Sequence, residues 1–291
     1  MRSSIHIIWL LWLTLLACAS HHTEREIEAY ALPMEARPFN ALSGSDFNLL
    51  IEDLDLFQRE SLILAEIKAG NIPTFLRILT PVKLEGNVGN QFYELTMFVT
   101  PDYLSIGSNS DHMLMPMTPM LAQRVAYLLD AVLPTRKMVD HIWESAGLKL
   151  SPQPIPPSDA MVTVEIYAQH NSMVSRKRSE SLVEHPLGVL VGGDKKDLVI
   201  TSRLQSMPDK VHIYGWHDLS GAPIQSLYSG HVNWYVDYSH GVRLVQEACL
   251  LNNEWTTISD LLKDQALHVL LSDESTPMAI TGYDTSRSNY P

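Results

Sequence analysis

Residues 210–228 read KVHIYGWHDLSGAPIQSLY. Two runs with frequent valine, isoleucine and tyrosine flank the turn residues Ser220-Gly221, a pattern typical of two antiparallel strands joined by a short turn. Similar short runs occur at 187–191, 197–204 and 233–246. The region 187–246 therefore predicts one antiparallel sheet.

The chain before this region has the character of helices. Thr118-Pro119 is a good helix entry, because a capping residue precedes a proline at the first helical position. Helices are expected at about 46–69, 119–131, 134–147 and 160–178, and strand candidates lie at 75–79 and 92–99. The expected fold class is α+β, with helices mainly in the first half and an antiparallel β-sheet in the last third.

The N-terminus predicts export. Arg2 precedes an apolar run that ends at Ala17, which has the length of a signal peptide and is too short for a membrane span. Leu15-Leu16-Ala17-Cys18 resembles a bacterial lipobox, which would place a lipid on Cys18. The competing reading is cleavage after Ala19. A lipid-anchored protein of the periplasm or outer membrane is favoured over a fully secreted one.

The domain organisation follows from composition. Residues 1–17 are the expected signal peptide, and residues 18–45 mix polar side chains with proline and glycine, as in a tether. Residues 46–285 are expected to form a single α+β domain, with a hinge at the proline-rich run 151–157.

The net charge of −12 argues against nucleic acid as a partner, because phosphates would be repelled. The expected partner is a cell-envelope or extracellular substrate, and the membrane is reached through the lipid anchor alone. If Cys18 is lipidated or removed, Cys249 has no cysteine to pair with, and a disulfide framework is excluded.

Candidate catalytic and binding residues are concentrated in residues 230–243, which read GHVNWYVDYSHGVR. A routine strand alternates apolar and polar residues and does not collect two histidines, an aspartate, an arginine and three aromatic residues. On a regular strand, one face carries His231, Tyr235, Asp237, Ser239 and Arg243. His240 falls on the other face, where Gly241 could form a bulge that re-aims it.

Two reactions need such groups. A metal hydrolase would use His231, Asp237 and His240 as ligands, with His217 as a fourth, around a divalent metal such as zinc. A metal-free hydrolase would use Asp237 to orient His240 or His231 as the catalytic base. The structural alternative is that Asp237 pairs with Arg243 and the histidines have no chemical role.

Other residues are expected to contact the substrate. Lys196 lies at the start of one predicted strand, and Trp216 at the end of another could stack on a sugar or an apolar group. Tyr238 is also expected to bind the substrate. Arg243 would hold an anionic group of the substrate.

Four segments resemble a family of secreted bacterial proteins of unassigned function. These are Leu133 to Asp140, Asp194-Lys195-Lys196-Asp197, Tyr214-Gly215-Trp216-His217 and Asp237 to Val245. The resemblance spans most of residues 70–247. It implies a histidine at the position where this chain has Asp194, and it implies no reaction.

The motifs of common serine hydrolases, zincins, nucleotide-binding enzymes and Rossmann dehydrogenases do not occur in the chain. Two functions stay open. The first is an exported hydrolase acting on an envelope or extracellular polymer, peptide or glycan. The second is a non-catalytic envelope lipoprotein that binds a ligand or protein through the aromatic side chains of Trp216, Trp234 and Tyr235.

Export is tested by expressing the chain in a bacterium with residues 1–25 intact. We expect a shortened product in the membrane fraction, and Cys18→Ser should abolish both the lipid-dependent processing and the membrane association. Mass spectrometry of the mature N-terminus reports the cleavage site. Unchanged processing and membrane association in the Cys18→Ser variant would contradict the lipoprotein interpretation.

Overall fold

The computed structural model describes residues 30–286. The expected signal peptide, Cys18 and the first part of the tether lie outside these residues. Among the described residues, no helix is long and apolar enough to cross a membrane.

Six α-helices are distributed along the described chain. Their bounds are α1 Gly44–Ile51, α2 Leu56–Lys68, α3 Pro119–Leu128, α4 Arg136–Ser145, α5 Val164–Glu180 and α6 Ile258–Lys263. Short 3-10 turns occupy Thr74–Leu76, Asp159–Val162, Ser202–Gln205 and Leu267–Leu270.

Side-chain caps explain where the helices begin. Thr118, Thr135 and Thr163 each accept a hydrogen bond from a backbone N–H of the first turn. The single helix expected over 46–69 is wrong, because Asp55 starts a second helix. Its carboxylate accepts from the Gln58 N–H while the Gln58 side chain accepts from the Asp55 N–H.

The strands are short outside one long hairpin. They are β1 Thr80–Val88, β2 Gln91–Val99, β3 Ser105–Gly107, β4 His112–Leu114, β5 Ala131–Val132, β6 Leu148–Lys149, β7 Val191–Gly192, β8 Lys196–Leu198, β9 Ile213–His217, β10 Pro223–Tyr228, β11 His240–Gly241, β12 Val245–Gln246, β13 Ala248–Leu251 and β14 Glu254–Thr257.

The larger sheet has six strands and is built on β2. β1 pairs with β2 in an antiparallel hairpin over its full length, and β12 and β13 also pair with β2. β5 extends the sheet beyond β12, and β14 extends it beyond β13. Both faces of β2 are covered at its C-terminal end, where the consecutive residues Met97, Phe98 and Val99 are fully buried.

The smaller sheet has the order β10-β9-β8-β11. β9 and β10 form the hairpin expected from residues 210–228, with the turn closed by the Asp218 carboxylate. β8 pairs antiparallel with β9 but parallel with β11. Two further pairs, antiparallel β3–β4 and parallel β6–β7, complete the strands described.

The mixed α and β character and the antiparallel sheets are confirmed, but the expected order of elements is wrong. Helices are spread through the chain, and the sheets begin well before its last third. The region 187–246 is not one antiparallel sheet, since β11 is parallel to β8 and β12 belongs to the larger sheet. Only the runs 210–216 and 222–228 form strands over most of their length. The run 197–204 passes into a 3-10 turn at Ser202–Gln205 and 233–239 is irregular, because strand formation depends on long-range packing.

The polar residue Glu60 lies inside the helical layer. Its carboxylate accepts hydrogen bonds from the Thr118 N–H at 2.6 Å and the Thr118 hydroxyl at 2.9 Å. Burial raises the pKa of Glu60 to about 7 despite these bonds. The ionised form is therefore disfavoured in the folded protein near neutral pH.

Glu60 should make the protein less stable as the pH rises. Between pH 4.5 and about 7 the folded state holds a proton that the unfolded state has released, so the free energy of unfolding falls across this window. In the wild type this loss of unfolding free energy reaches about 3 kcal/mol at the upper end of the pH window, and Glu60→Gln should abolish it. Urea unfolding at several pH values measures it, with the exposed Glu52→Gln as control. Parallel curves for wild type and Glu60→Gln would contradict the prediction.

Candidate active site

The smaller sheet brings Lys196 and His240 together. The two residues are register partners on the parallel strands β8 and β11, so their side chains lie on the same face. Gly215 is the partner of Lys196 on the other neighbouring strand, β9.

His240 is the central group of this face. Its side chain is fully buried, and neither ring nitrogen has a hydrogen-bond partner among the described residues. Burial lowers the pKa of His240 to about 4, although the Asp237 carboxylate opposes the change. Nε2 of His240 lies 4.0 Å from Oδ2 of Asp237. The imidazole is therefore neutral at neutral pH.

Asp237 is held as a carboxylate by its neighbours. Oδ1 accepts hydrogen bonds from the Ser239 N–H at 2.8 Å and the Ser239 hydroxyl at 2.5 Å, and Oδ2 accepts from the Tyr235 hydroxyl at 3.2 Å. Burial raises the pKa of Asp237, but His240, the Ser239 hydroxyl and Lys196 together lower it to about 2. Ser239 therefore positions Asp237 and does not contact His240 as a nucleophile would.

A series of four rings connects His240 to the surface. The ring of Tyr235 lies edge-on to His240 at 5.9 Å, His231 stacks on Tyr235 at 4.0 Å, and Tyr228 meets His231 at 5.1 Å. Tyr228 is 41% exposed, whereas His240 is not exposed at all. Of the predicted site residues, His231, Asp237 and His240 are therefore brought together.

His217 lies in a different environment. Its Nε2 is 2.9 Å from Oδ1 of Asp140 on α4, and the same oxygen accepts from the Tyr214 hydroxyl at 2.8 Å. The His217 ring stacks on Trp143 at 5.5 Å. His217 thus has a carboxylate partner of its own, which sequence reasoning did not identify.

The predicted metal site does not fit the geometry. Among residues 30–286, no group of three or more histidine, cysteine, aspartate or glutamate side chains could hold a metal ion. His217 contacts Asp140, and His231 uses its ring to stack on Tyr235. The four predicted zinc ligands therefore do not form a coordination shell, and the metal-free interpretation fits these residues better.

Arg243 does not lie where a substrate could reach it. Its side chain is 1% exposed, and Nη1 and Nη2 each donate a 2.8 Å hydrogen bond, to the carbonyls of Thr100 and Val191. The guanidinium lies 4.3 Å from the centre of the Tyr103 ring. The predicted pairing of Arg243 with Asp237 is also wrong, since the nearest carboxylate is that of Asp197, with Nε to Oδ1 at 3.9 Å.

Tyr238 and Trp216 are also buried. The Tyr238 hydroxyl accepts from the Ile155 N–H and donates to the Ile155 carbonyl, which fixes the proline-rich segment 151–157 to the core. The Trp216 indole donates to the Asp194 carbonyl at 3.1 Å, and Lys196 Nζ lies 5.1 Å from the centre of the indole ring system. These two side chains shape the site from inside and do not present an open face to substrate.

The backbone at Trp216 is in an unusual conformation. Its φ is 54°, in the left-handed region that a bulky residue rarely adopts, and Gly215 before it has a φ of 99°. This geometry turns the indole towards Lys196 and Asp194. Strain of this kind costs on the order of 1–3 kcal/mol and is often found at functional sites.

A buried ionic cluster lies beneath the strands of the site. It contains Asp102, Asp194, Lys195, Asp197 and Arg243, all at most 8% exposed. Lys195 Nζ donates to the Tyr238 carbonyl at 2.5 Å and lies 3.1 Å from Nδ1 of His170. Burial lowers the pKa of Lys195 to about 8 and raises that of Asp194 to about 7.

Sequence reasoning missed several members of this arrangement. Asp140, His170 and Tyr103 lie 25 to 94 positions from the partners they approach, in elements that carry no local signal of chemistry. Asp194 stands where the family resemblance implies histidine, and neither of its carboxyl oxygens has a partner in another described residue. An orphaned buried carboxyl of this kind marks a position with unusual electrostatics.

Comparison of the chain with protein-family models, curated proteins and solved structures finds no match. The resemblance to secreted bacterial proteins therefore stays a prediction.

The carboxylate of Asp237 should control the titration of His240. Asp237→Asn removes the charge that favours the imidazolium, so the pKa of His240 should fall below about 4. Histidine NMR titration measures this shift. Asp140→Asn, which removes the partner of His217, should leave His240 unchanged. An imidazole of His240 titrating near 6.5 in the wild type would contradict the buried, neutral state.

Proposed function

We propose that this protein is an exported, lipid-anchored hydrolase of the bacterial cell envelope that acts on a peptide or glycan polymer without a metal. The observation that carries the proposal is the state of His240. It is a neutral imidazole whose two nitrogens have no partner in the described residues, 4.0 Å from a carboxylate held in the ionised form. Burying such a group without a hydrogen bond costs free energy. A catalytic role would explain why the protein tolerates this cost.

The geometry supports a role for His240 as a general base. The imidazole would take a proton from water as the water oxygen bonds to the carbon at the scissile bond. It would return that proton to the leaving oxygen or nitrogen as the old bond breaks. Asp237 would remain ionised throughout and would stabilise the imidazolium. Lys196, on the same face, would stabilise negative charge on the reacting group.

Access to His240 requires Tyr235 to move. The Tyr235 ring covers the imidazole, and its hydroxyl makes one long hydrogen bond of 3.2 Å to Asp237. Tyr235 lies between β10 and β11, in a segment whose one β-type contact is the bridge between Lys210 and Val232. Displacement of a single partly exposed ring in irregular backbone is a small change of the kind that active-site loops make.

A non-catalytic binding protein is the second candidate. Trp234 is 43% exposed and Tyr228 is 41% exposed, and both belong to the segment 228–235 that carries the ring series. The buried Trp216 does not belong to it. Turnover separates the two functions, since binding alone needs neither His240 nor Asp237.

Hydrolysis is tested on isolated peptidoglycan and extracellular polysaccharide, by assaying new reducing ends and new amino groups. His240→Gln and Asp237→Asn should each lower the rate by about 10²–10⁴-fold. Ser239→Ala should lower it less, because Ser239 acts through Asp237. Circular dichroism checks that the variants fold.

Asp140→Asn is the matched control, because it removes the carboxylate partner of another buried histidine, His217. We expect it to keep its activity. If Asp140→Asn is inactive while Asp237→Asn is active, the reaction does not occur at His240. If the wild type cleaves none of these polymers, the hydrolase proposal is wrong.

A further inference from the structure

The irregular segment after β10 carries positive charges next to its exposed rings. Arg203 Nη1 donates to the Ser229 hydroxyl at 3.0 Å, and Lys210 Nζ donates to the Gly230 carbonyl at 3.1 Å. Ser229 and Gly230 are the two residues between the rings of Tyr228 and His231. Both cations are therefore fixed at the outer end of the ring series.

A third cation lies at the inner end. Burial lowers the pKa of His231, and the Asp237 carboxylate opposes this change. The positive charges of Lys196 and Lys210 lower the pKa of His231 further. His231 is thus within range of both lysines. The positive charge extends along the ring series from Arg203 at the surface to Lys196 beside His240.

Within residues 30–286, none of Lys196, Arg203 and Lys210 forms an ion pair with a carboxylate. Asp237, the carboxylate that acts on Lys196, is buried beneath the rings, and Asp209 adjoins Lys210 in the chain. Arg203 and Lys210, fixed beside exposed rings, form a local positive patch on a chain of net charge −12, and such a patch attracts an anionic ligand.

We propose that this surface binds an acidic polysaccharide, a polymer of sugar rings that carry carboxylates. It consists of exposed or half-exposed rings flanked by cations, namely Tyr228, His231, Trp234, Tyr235, Arg203 and Lys210. Aromatic rings offer flat apolar faces with a polar edge, which suit the faces of sugar rings. Arginine and lysine pair with the carboxylates at the sugar edges.

The charge pattern favours this ligand over a nucleic acid. A nucleic-acid strand carries a charge at every nucleotide and requires a continuous basic track, which three cations on an acidic protein do not provide. An acidic glycan carries fewer charges and presents more ring surface. Because the ring series ends at His240, the same polymer would be the substrate, and that part of the inference rests on the proposed hydrolase function.

Binding is measured by isothermal titration calorimetry of the purified protein with three hexasaccharides: oligogalacturonate, hyaluronan and neutral cellohexaose. We expect at least one acidic hexasaccharide to bind and the neutral one to bind at least tenfold more weakly, with affinity falling as salt is raised. The double variant Arg203→Gln/Lys210→Gln and the variant Trp234→Ala should each lose about tenfold or more in affinity. Lys263→Gln on α6 is the matched control and should bind like the wild type.

The His240→Gln variant separates this inference from the reaction. We expect it to bind the acidic hexasaccharide as tightly as the wild type while failing to cleave it. Binding without cleavage by the wild type would contradict the hydrolase and leave the binding surface standing. The binding inference is overturned if neither acidic hexasaccharide binds or if cellohexaose binds equally well. It is also overturned if the double variant binds unchanged, or if a single-stranded oligothymidine binds more tightly.

Discussion

A buried guanidinium, that of Arg243, links the end of β2 in the larger sheet to strand β7. Arg243 lies in the three residues between β11 of the smaller sheet and β12 of the larger one. Its hydrogen bonds reach the Thr100 carbonyl just after β2 and the Val191 carbonyl in β7, and its face packs on the Tyr103 ring. Transferring a charged side chain from water into the protein interior costs free energy. The guanidinium of Arg243 therefore tolerates little displacement from its hydrogen-bond partners.

The position of His240 follows from that constraint. With Arg243 fixed, the chain before it is drawn alongside β8, and the Lys196 N–H donates to the Ser239 carbonyl at 2.8 Å. The Lys195 ammonium group donates a hydrogen bond to the Tyr238 carbonyl, and the Tyr167 hydroxyl on α5 donates one to the Val236 carbonyl. The carbonyls of Val236, Tyr238 and Ser239 are thus anchored, and Asp237 and His240 are presented from a well-supported backbone. Rigid support of this kind favours precise proton transfer.

The electrostatics divide the protein into two layers. Beneath the strands, buried carboxylates and cations offset one another, and burial raises the pKa of Asp194 and Asp197 to about 7 and about 6. Towards solvent, aromatic rings alternate with unpaired cations. The imidazole of His240 lies between the layers, where burial keeps it neutral. A negatively charged substrate would be attracted at the outside and would meet an uncharged base within.

The sequence by itself determined the local structure and the place where chemistry is concentrated. The hairpin of β9 and β10, the Thr118 cap of α3, and the grouping of histidine, aspartate and aromatic residues in 231–243 all follow from spacing and propensity. The tertiary structure alone decided the partners. His217 pairs with Asp140, 77 positions away, Arg243 is structural, and β11 runs parallel to β8. Local patterns encode which face of an element is buried, whereas a hydrogen bond between distant side chains depends on how those elements pack.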